Sequence, residues 1–354
     1  MLRLESREST PRALLLGAPL AALAFTLAVS SLLVAWAGAP VGEAYALLLQ
    51  GGFGGRFAWT ETLTRATPLI FTGLAAAVAF RARLYNIGGE GQLYAGALAA
   101  VAVGGLHGGE GFAASPWLLL PLMMAAAALA GALLLLVPAV LKSRFAVDEV
   151  VTTLLLNFIV LLFVGAMLDG PMKDPSAMGW PQSVAIQDAL QLDKLIERSR
   201  VHTGLLGALV ASVVLWLLLR GSTLGLEIRA VGSGARAAAF AGMPVAWVTV
   251  KVALMSGALA GLAGAVEVAG RAGYVTLDMS PGYGTSGVVI AMLAALHPLG
   301  VVAAAVFVAG ILVGADSMSR AVGVPTYIAD VIVAVSLIAV LVATLLTQYR
   351  LRWK

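Results

Sequence analysis

Long apolar runs broken by short polar interruptions set the pattern of this chain. Ala13 to Trp36 and Trp117 to Leu141 contain no Lys, Arg, Asp or Glu. Each is long enough to cross ~30 Å of hydrocarbon at roughly 1.5 Å per residue. Windows of this kind predict about ten spans, near residues 13–36, 62–80, 88–106, 117–141, 149–168, 203–219, 246–269, 284–297, 299–316 and 327–347. Helices are the expected element. A membrane barrel alternates apolar and polar residues, whereas runs such as Met124 to Leu136 have no period of two. The predicted fold is all-α: a polytopic membrane protein of one domain over residues 1–354, embedded over 13–347, with internal repeats and broken or re-entrant segments.

Two connections are too long to be turns. Residues 170–202 mix Pro, Asp, Gln and Lys and are expected on the outside. Residues 220–245 carry Arg220, Glu227, Arg229 and Arg236 among small apolar residues and are expected in the cytoplasm. Within the second, Leu224, Leu226, Ile228, Val231, Ala235, Ala238 and Ala239 predict one apolar side of a short helix lying along the membrane surface.

Composition agrees: 60% of the 354 residues are apolar and 11% charged, against about a quarter charged in a soluble domain. The net charge of +4 comes from scattered basic clusters, which mark topology and give no reason to expect nucleic acid as a partner. With the N-terminus inside, fourteen of the 22 Lys and Arg fall on the cytoplasmic side, Arg7 and Lys354 among them. Both termini are therefore expected in the cytoplasm. The N-terminal run is read as a first span, being longer than the roughly 7–15 residues of a secretory core and lacking a small-residue cleavage site. No cysteine is present, so disulfides and thiolate metal sites are excluded. His107, His202 and His297 have no metal-ligand spacing.

The chemistry worth following sits at two breaks. Leu84 to Tyr94 interrupts the apolar pattern with three glycines, Asn86, Glu90 and Gln92, and Ser280 to Gly287 does so with Pro281, Tyr283 and further glycines. Irregular backbone at membrane depth is tolerated where it is buried in protein or lines a watery cavity. The alternative for the first break is a cytoplasmic turn and helix cap. The second opens a run too short for an easy crossing, which suggests a half-helix and makes the two breaks counterparts in two internal halves. Asn157 falls in an otherwise apolar helix, where an unpaired amide costs on the order of several kcal/mol, so it needs a partner or water. Glu267, Asp316 and Asp330 lie near predicted span ends and are expected at the interface.

Four stretches resemble one family. Tyr85-Asn-Ile-Gly-Gly-Glu-Gly-Gln92, Asp148 to Asn157, Gly170 to Pro175 with Pro181 to Ser183, and Gly225 to Gly232 continuing to Gly242 are similar, in order, to the nucleoside-type permease subunits of bacterial ABC importers. These belong to the branched-chain amino acid and ribose permease superfamily, and the likeness spans about residues 60 to 300. Ser233-Gly234-Ala235 is smaller than the polar residues that family carries there.

The resemblance implies a non-catalytic subunit of the bacterial cytoplasmic (inner) membrane. It would pair with a second, related permease, two cytoplasmic ATPase domains carrying ATP-Mg, and a lipid-anchored extracellular binding protein. This chain would bind no cofactor itself, having no Gly-Lys-Ser/Thr phosphate loop. It implies a nucleoside pathway, with a simple sugar as the alternative. Asn86, Glu90, Gln92, Asn157 and Tyr283 are the candidate pathway residues, with interhelical hydrogen bonding as their other reading. Leu226, Glu227, Arg229, Arg236 and Ala238 are the candidate ATPase-coupling residues, with headgroup anchoring as the other reading of the charges. An ion-coupled transporter would instead need a mid-span carboxylate, for which Glu90 is the nearest candidate. A membrane enzyme is disfavoured by the lack of paired carboxylates or an activated nucleophile.

Overall fold

The computed structural model describes residues 2–6 and 12–353; Arg7 and Lys354 lie outside them. The described residues form twelve α-helices: α1 (Arg12–Trp36), α2 (Val41–Phe53), α3 (Arg56–Arg81), α4 (Gly89–Gly104), α5 (Pro116–Phe145), α6 (Glu149–Asp169), α7 (Gly204–Gly221), α8 (Thr223–Phe240), α9 (Val245–Glu267), α10 (Tyr283–Leu293), α11 (Pro298–Val322) and α12 (Tyr327–Gln348). A short antiparallel ribbon of β1 (Leu2–Ser6) and β2 (Tyr349–Trp353) joins the two chain ends. Among the described residues six helices are long and apolar enough to cross a membrane, or seven if α1 and α2, bent by 113° at their junction, form one broken span.

The windows located most helices and missed α2. At 13 residues it is shorter than a crossing requires, and Ala44, Leu48 and Gly52, recurring every four residues, are its buried face. Helix α3 also begins at Arg56, ahead of its predicted start, and α11 runs on to Val322.

The chain divides into two compact units, residues 1–62 with 307–354, and residues 63–306. In the first, the Tyr45 hydroxyl donates to the Leu27 carbonyl at 2.8 Å, tying α2 to α1. The second holds the candidate site. Its α4 is buried on nearly every side, whereas α5, α6 and α7 show apolar residues outward, including Leu129, Leu133, Leu162, Phe163, Val210 and Leu217. Helices that are apolar on their exposed faces are solvated by lipid.

Helices α4, α5 and α9 touch backbone to backbone. A Cβ on Gly261 would sit 2.1 Å from the Ala127 carbonyl oxygen, one on Gly96 2.2 Å from the Gly261 oxygen, and one on Gly131 2.2 Å from the Gly257 oxygen. The small-residue spacing at Gly257, Gly261 and Gly264 thus permits approaches that no side chain allows.

The segment between α6 and α7 is stitched down. The Ser183 and Ile186 amides donate to the Val275 and Gly273 carbonyls at 2.9 and 2.8 Å, and the Gln187 amide donates to the Gly104 carbonyl at 2.8 Å. It thereby clamps the end of α4 to the link before α10. The Asp174 carboxylate accepts from the Ser176 amide and hydroxyl and from Gln182, which holds it below the usual range. At the end of this segment His202 is buried, neither ring nitrogen has a hydrogen-bond partner among the described residues, and burial pushes its imidazole down to about 4.

Candidate functional site

The two breaks read from the sequence meet in space. Helix α3 ends at Arg81, and the chain runs without helix until α4 starts at Gly89. Helix α10 is only 11 residues long and begins after Gly282, whose φ of 82° is the left-handed conformation that glycine adopts freely. The two helix starts face one another: the Gly284 amide donates to a Glu90 carboxylate oxygen at 2.6 Å. Ser280, Gly282 and Thr285 also hydrogen-bond to that carboxylate. Glu90 therefore caps a half-helix from a different element, placing negative charge at a positive helix end.

Amide side chains extend the seam. Asn86 and Gln92 exchange two hydrogen bonds, both 2.9 Å, and the Asn86 amide nitrogen also donates to the Ser256 hydroxyl at 3.2 Å. The Gly88 amide donates to the Asn86 oxygen at 3.1 Å, closing the turn. Ser256 donates onward to the Ala75 carbonyl at 2.8 Å, so α3, α4 and α9 share one network. The Asn157 oxygen accepts from the Gly91 amide, which answers its need for a partner inside α6. The Tyr283 carbonyl accepts from the Thr72 hydroxyl at 2.8 Å. All five candidate pathway residues are buried and belong to this one seam.

One neighbouring group was misjudged from the sequence. Glu267 was expected at the interface, but it is 1% exposed. A π-turn, Val268–Ala272, follows α9 and brings Arg271 back against it, where the guanidinium donates to the carboxylate. Arg65 adds further positive charge nearby, and Arg271 also donates to the Met279 carbonyl at 3.0 Å, ahead of α10. The Tyr94 hydroxyl donates to the Leu277 carbonyl at 2.6 Å on the same link. The i,i+4 spacing of Glu267 and Arg271 at the end of a glycine-rich span was the available signal.

Residues 223–240 form α8, with a non-helical break at Gly234. The Ser222 hydroxyl caps its start by accepting from the Gly225 amide at 3.0 Å. Its buried face is Gly225, Ile228, Val231 and Ala238. Leu226 is 54% exposed and Phe240, absent from the predicted set, 96% exposed. Leu226, Ala235 and Ala239, expected on the apolar side, are exposed; Ala235 and Ala239 follow the break at Gly234, which interrupts the helical register set by Ile228 and Val231. Among the predicted coupling residues Arg236 is exposed. Glu227 lies 3.9 Å from Lys251, Arg229 donates to the Leu219 carbonyl, and Ala238 is buried, so it packs the helix from within.

The branched-chain amino acid transport system / permease component family matches residues 59–341, which include every element of this seam and α8. The chain belongs to that family. This permease is 37% identical over 324 residues to the guanosine ABC transporter permease protein NupP of Bacillus subtilis (91% of this chain, 92% of the relative). It is 35% identical over 360 residues to the glucose ABC transporter permease protein TsgB13 of Haloferax volcanii (99% and 93%). It is 30% identical over 283 residues to the nucleoside ABC transporter permease protein NupB of Lactococcus lactis (77% and 76%). No solved structure matches the chain. The permease is a multi-pass membrane transport subunit and not a catalytic enzyme.

Proposed function

We propose that this permease forms the nucleoside pathway of an ABC importer, driven by ATP hydrolysed on partner subunits. The observation that carries the reading is the near full-length similarity to a guanosine permease, supported by a second nucleoside permease. The similarity to a glucose permease is almost as high, which keeps a simple sugar as the second reading.

In this proposal the seam of Asn86, Glu90, Gln92, Asn157 and Tyr283 shapes the pathway. It pins two helix starts together within the bundle, as in transporters whose sites form at broken helices. About ten elements are embedded over residues 13–347 of one permease domain, the short α4 and α10 among them. Residues 170–202 face outside, where a lipid-anchored binding protein delivers cargo, and residues 220–245 face the cytoplasm. Both termini lie in the cytoplasm, in keeping with the ribbon that joins them. The exposed side of α8, with Leu226, Arg236 and Phe240, is the contact for the ATPases, which carry ATP-Mg. A second, related permease completes the pathway.

Co-reconstitution with the two ATPases, the partner permease and the binding protein tests the proposal. ATP-dependent uptake of labelled guanosine, outcompeted by unlabelled guanosine and not by glucose, is expected. Uptake of glucose alone would replace the cargo. Uptake by the lone chain under a proton or sodium gradient would overturn the power source.

A further inference from the structure

At the end of the bundle where α3, α7 and α8 meet, basic side chains crowd around open space without acidic partners. One cavity of about 310 Å³ is lined by Arg81, Arg220, Arg229, Trp216 and His297. A second, of about 500 Å³, shares Arg81 and Arg229 and adds Arg83 and Ser233. Among the described residues no Asp or Glu lines either cavity.

The arginines are placed rather than loose. Arg81 donates through Nε to the Leu296 carbonyl at 2.9 Å, and Arg229 donates through Nη1 to the Leu219 carbonyl. These two guanidinium groups are close enough to repel one another. Arg220 stacks on Trp216, its Cζ 5.4 Å from the ring centroid. Among the described residues, none of the four arginines has a carboxylate within ion-pair distance. Like charges held together by backbone carbonyls, with donors left over, suit an anion able to accept from both. The start of α11 at Pro298, which also lines the smaller cavity, adds a positive helix end.

The surroundings select the form of the anion. Above Arg220 the outward face of α7 presents Val210, Val213, Val214 and Leu217, all exposed. Trp216 sits between this apolar stripe and the arginines, where interfacial aromatics mark the headgroup level. An anion with acyl chains satisfies both halves, the chains along α7 and the phosphate in the cavity. A free phosphate would satisfy only the second.

We infer that Arg81, Arg220 and Arg229, with Arg83 behind them, form a binding site for the phosphate headgroup of an anionic phospholipid. The orientation proposed above puts the site in the cytoplasmic leaflet, where basic pockets between helices hold such headgroups. The inference needs the chain to be in a membrane, and it does not depend on the cargo.

Delipidated, detergent-solubilised full-length permease is titrated with phosphatidylglycerol or phosphatidylcholine, and bound lipid is counted by native mass spectrometry. Phosphatidylglycerol should half-saturate at about a tenfold lower concentration, given the favourable contribution of each basic residue near an anionic headgroup. The Arg81→Gln/Arg229→Gln double variant should bring the two lipids within about twofold of each other. Arg144→Gln, basic but away from the cavity, should keep the full preference. If the double variant elutes as aggregate, Arg220→Gln, whose guanidinium stacks on Trp216, should by itself reduce the preference about threefold. Equal binding of the two lipids, or a preference that survives these changes, overturns the site. Full displacement by millimolar inorganic phosphate reassigns it to small anions. Loss of the preference when the ATPases are bound reassigns it to a protein contact.

Discussion

Gly284→Ala tests the meeting of the two helix starts directly. A Cβ there would lie 2.1 Å from the Glu90 amide nitrogen and 2.4 Å from the Gly89 carbonyl carbon, both backbone atoms that cannot rotate away. Ordinary contact needs roughly 3.5 Å, so α4 and α10 must part by about 1.4 Å. The bond from the Gly284 amide to Glu90, now 2.6 Å, would not survive that separation. Overpacking costs ~1–3 kcal/mol and loss of a hydrogen bond to a charged group ~1.5–3 kcal/mol, so about 3 kcal/mol is expected. Gly89→Ala is the matched control: its Cβ would stand 3.2 Å from the Gly284 oxygen, and the cost should stay within about 1 kcal/mol. Thermal unfolding of both variants in detergent, followed by tryptophan fluorescence, gives the order. If Gly284→Ala unfolds with the wild type, or Gly89→Ala proves the worse, the close approach of α4 and α10 is wrong.

Three further outcomes follow from other parts of the fold. Asn157→Leu removes the acceptor for the Gly91 amide and should lower stability by about 1–3 kcal/mol, measured in the same unfolding assay. His202 is held down to about 4 from an ordinary 6.5, so the unfolded chain binds a proton that the folded chain does not. Stability from its neutral ring is complete above the upper value and is lost as pH falls from 6.5 to about 4, by about 3 kcal/mol at most. His202→Phe should flatten the melting temperature across that window. Arg236→Ala with Phe240→Ala should weaken co-purification of the ATPases while leaving the melting temperature near that of the wild type; unchanged co-purification would remove the exposed side of α8 from the coupling contact.

Much of the helical layout is written in apolar run length, because lipid demands uninterrupted apolar surface. That signal fails for helices shorter than a crossing. Helix α2 has only 13 residues and so forms no run of spanning length. The breaks at Asn86 and Gly284 were visible as glycines and amides inside apolar sequence. Their mutual contact was not, since it depends on α4 and α10 being brought together from distant parts of the chain. Asn157 announced that it needed a partner without naming Gly91. Glu267 looked interfacial because its burial comes from a π-turn, a backbone event with no composition of its own. Phe240 was overlooked because an exposed aromatic at the end of a small-residue helix resembles any membrane-facing side chain.

The backbone contacts among α4, α5 and α9 limit how this transporter can move. Where main chains touch directly, there is no cushion of side chains that could repack or slide, so any displacement of one member must carry the other two. The three therefore travel as a single block. The start of α10, whose Gly284 lies against the Gly89 and Glu90 backbone, is held to the same block, so the joints that open and close the route must lie farther out, such as the link that leads into α8.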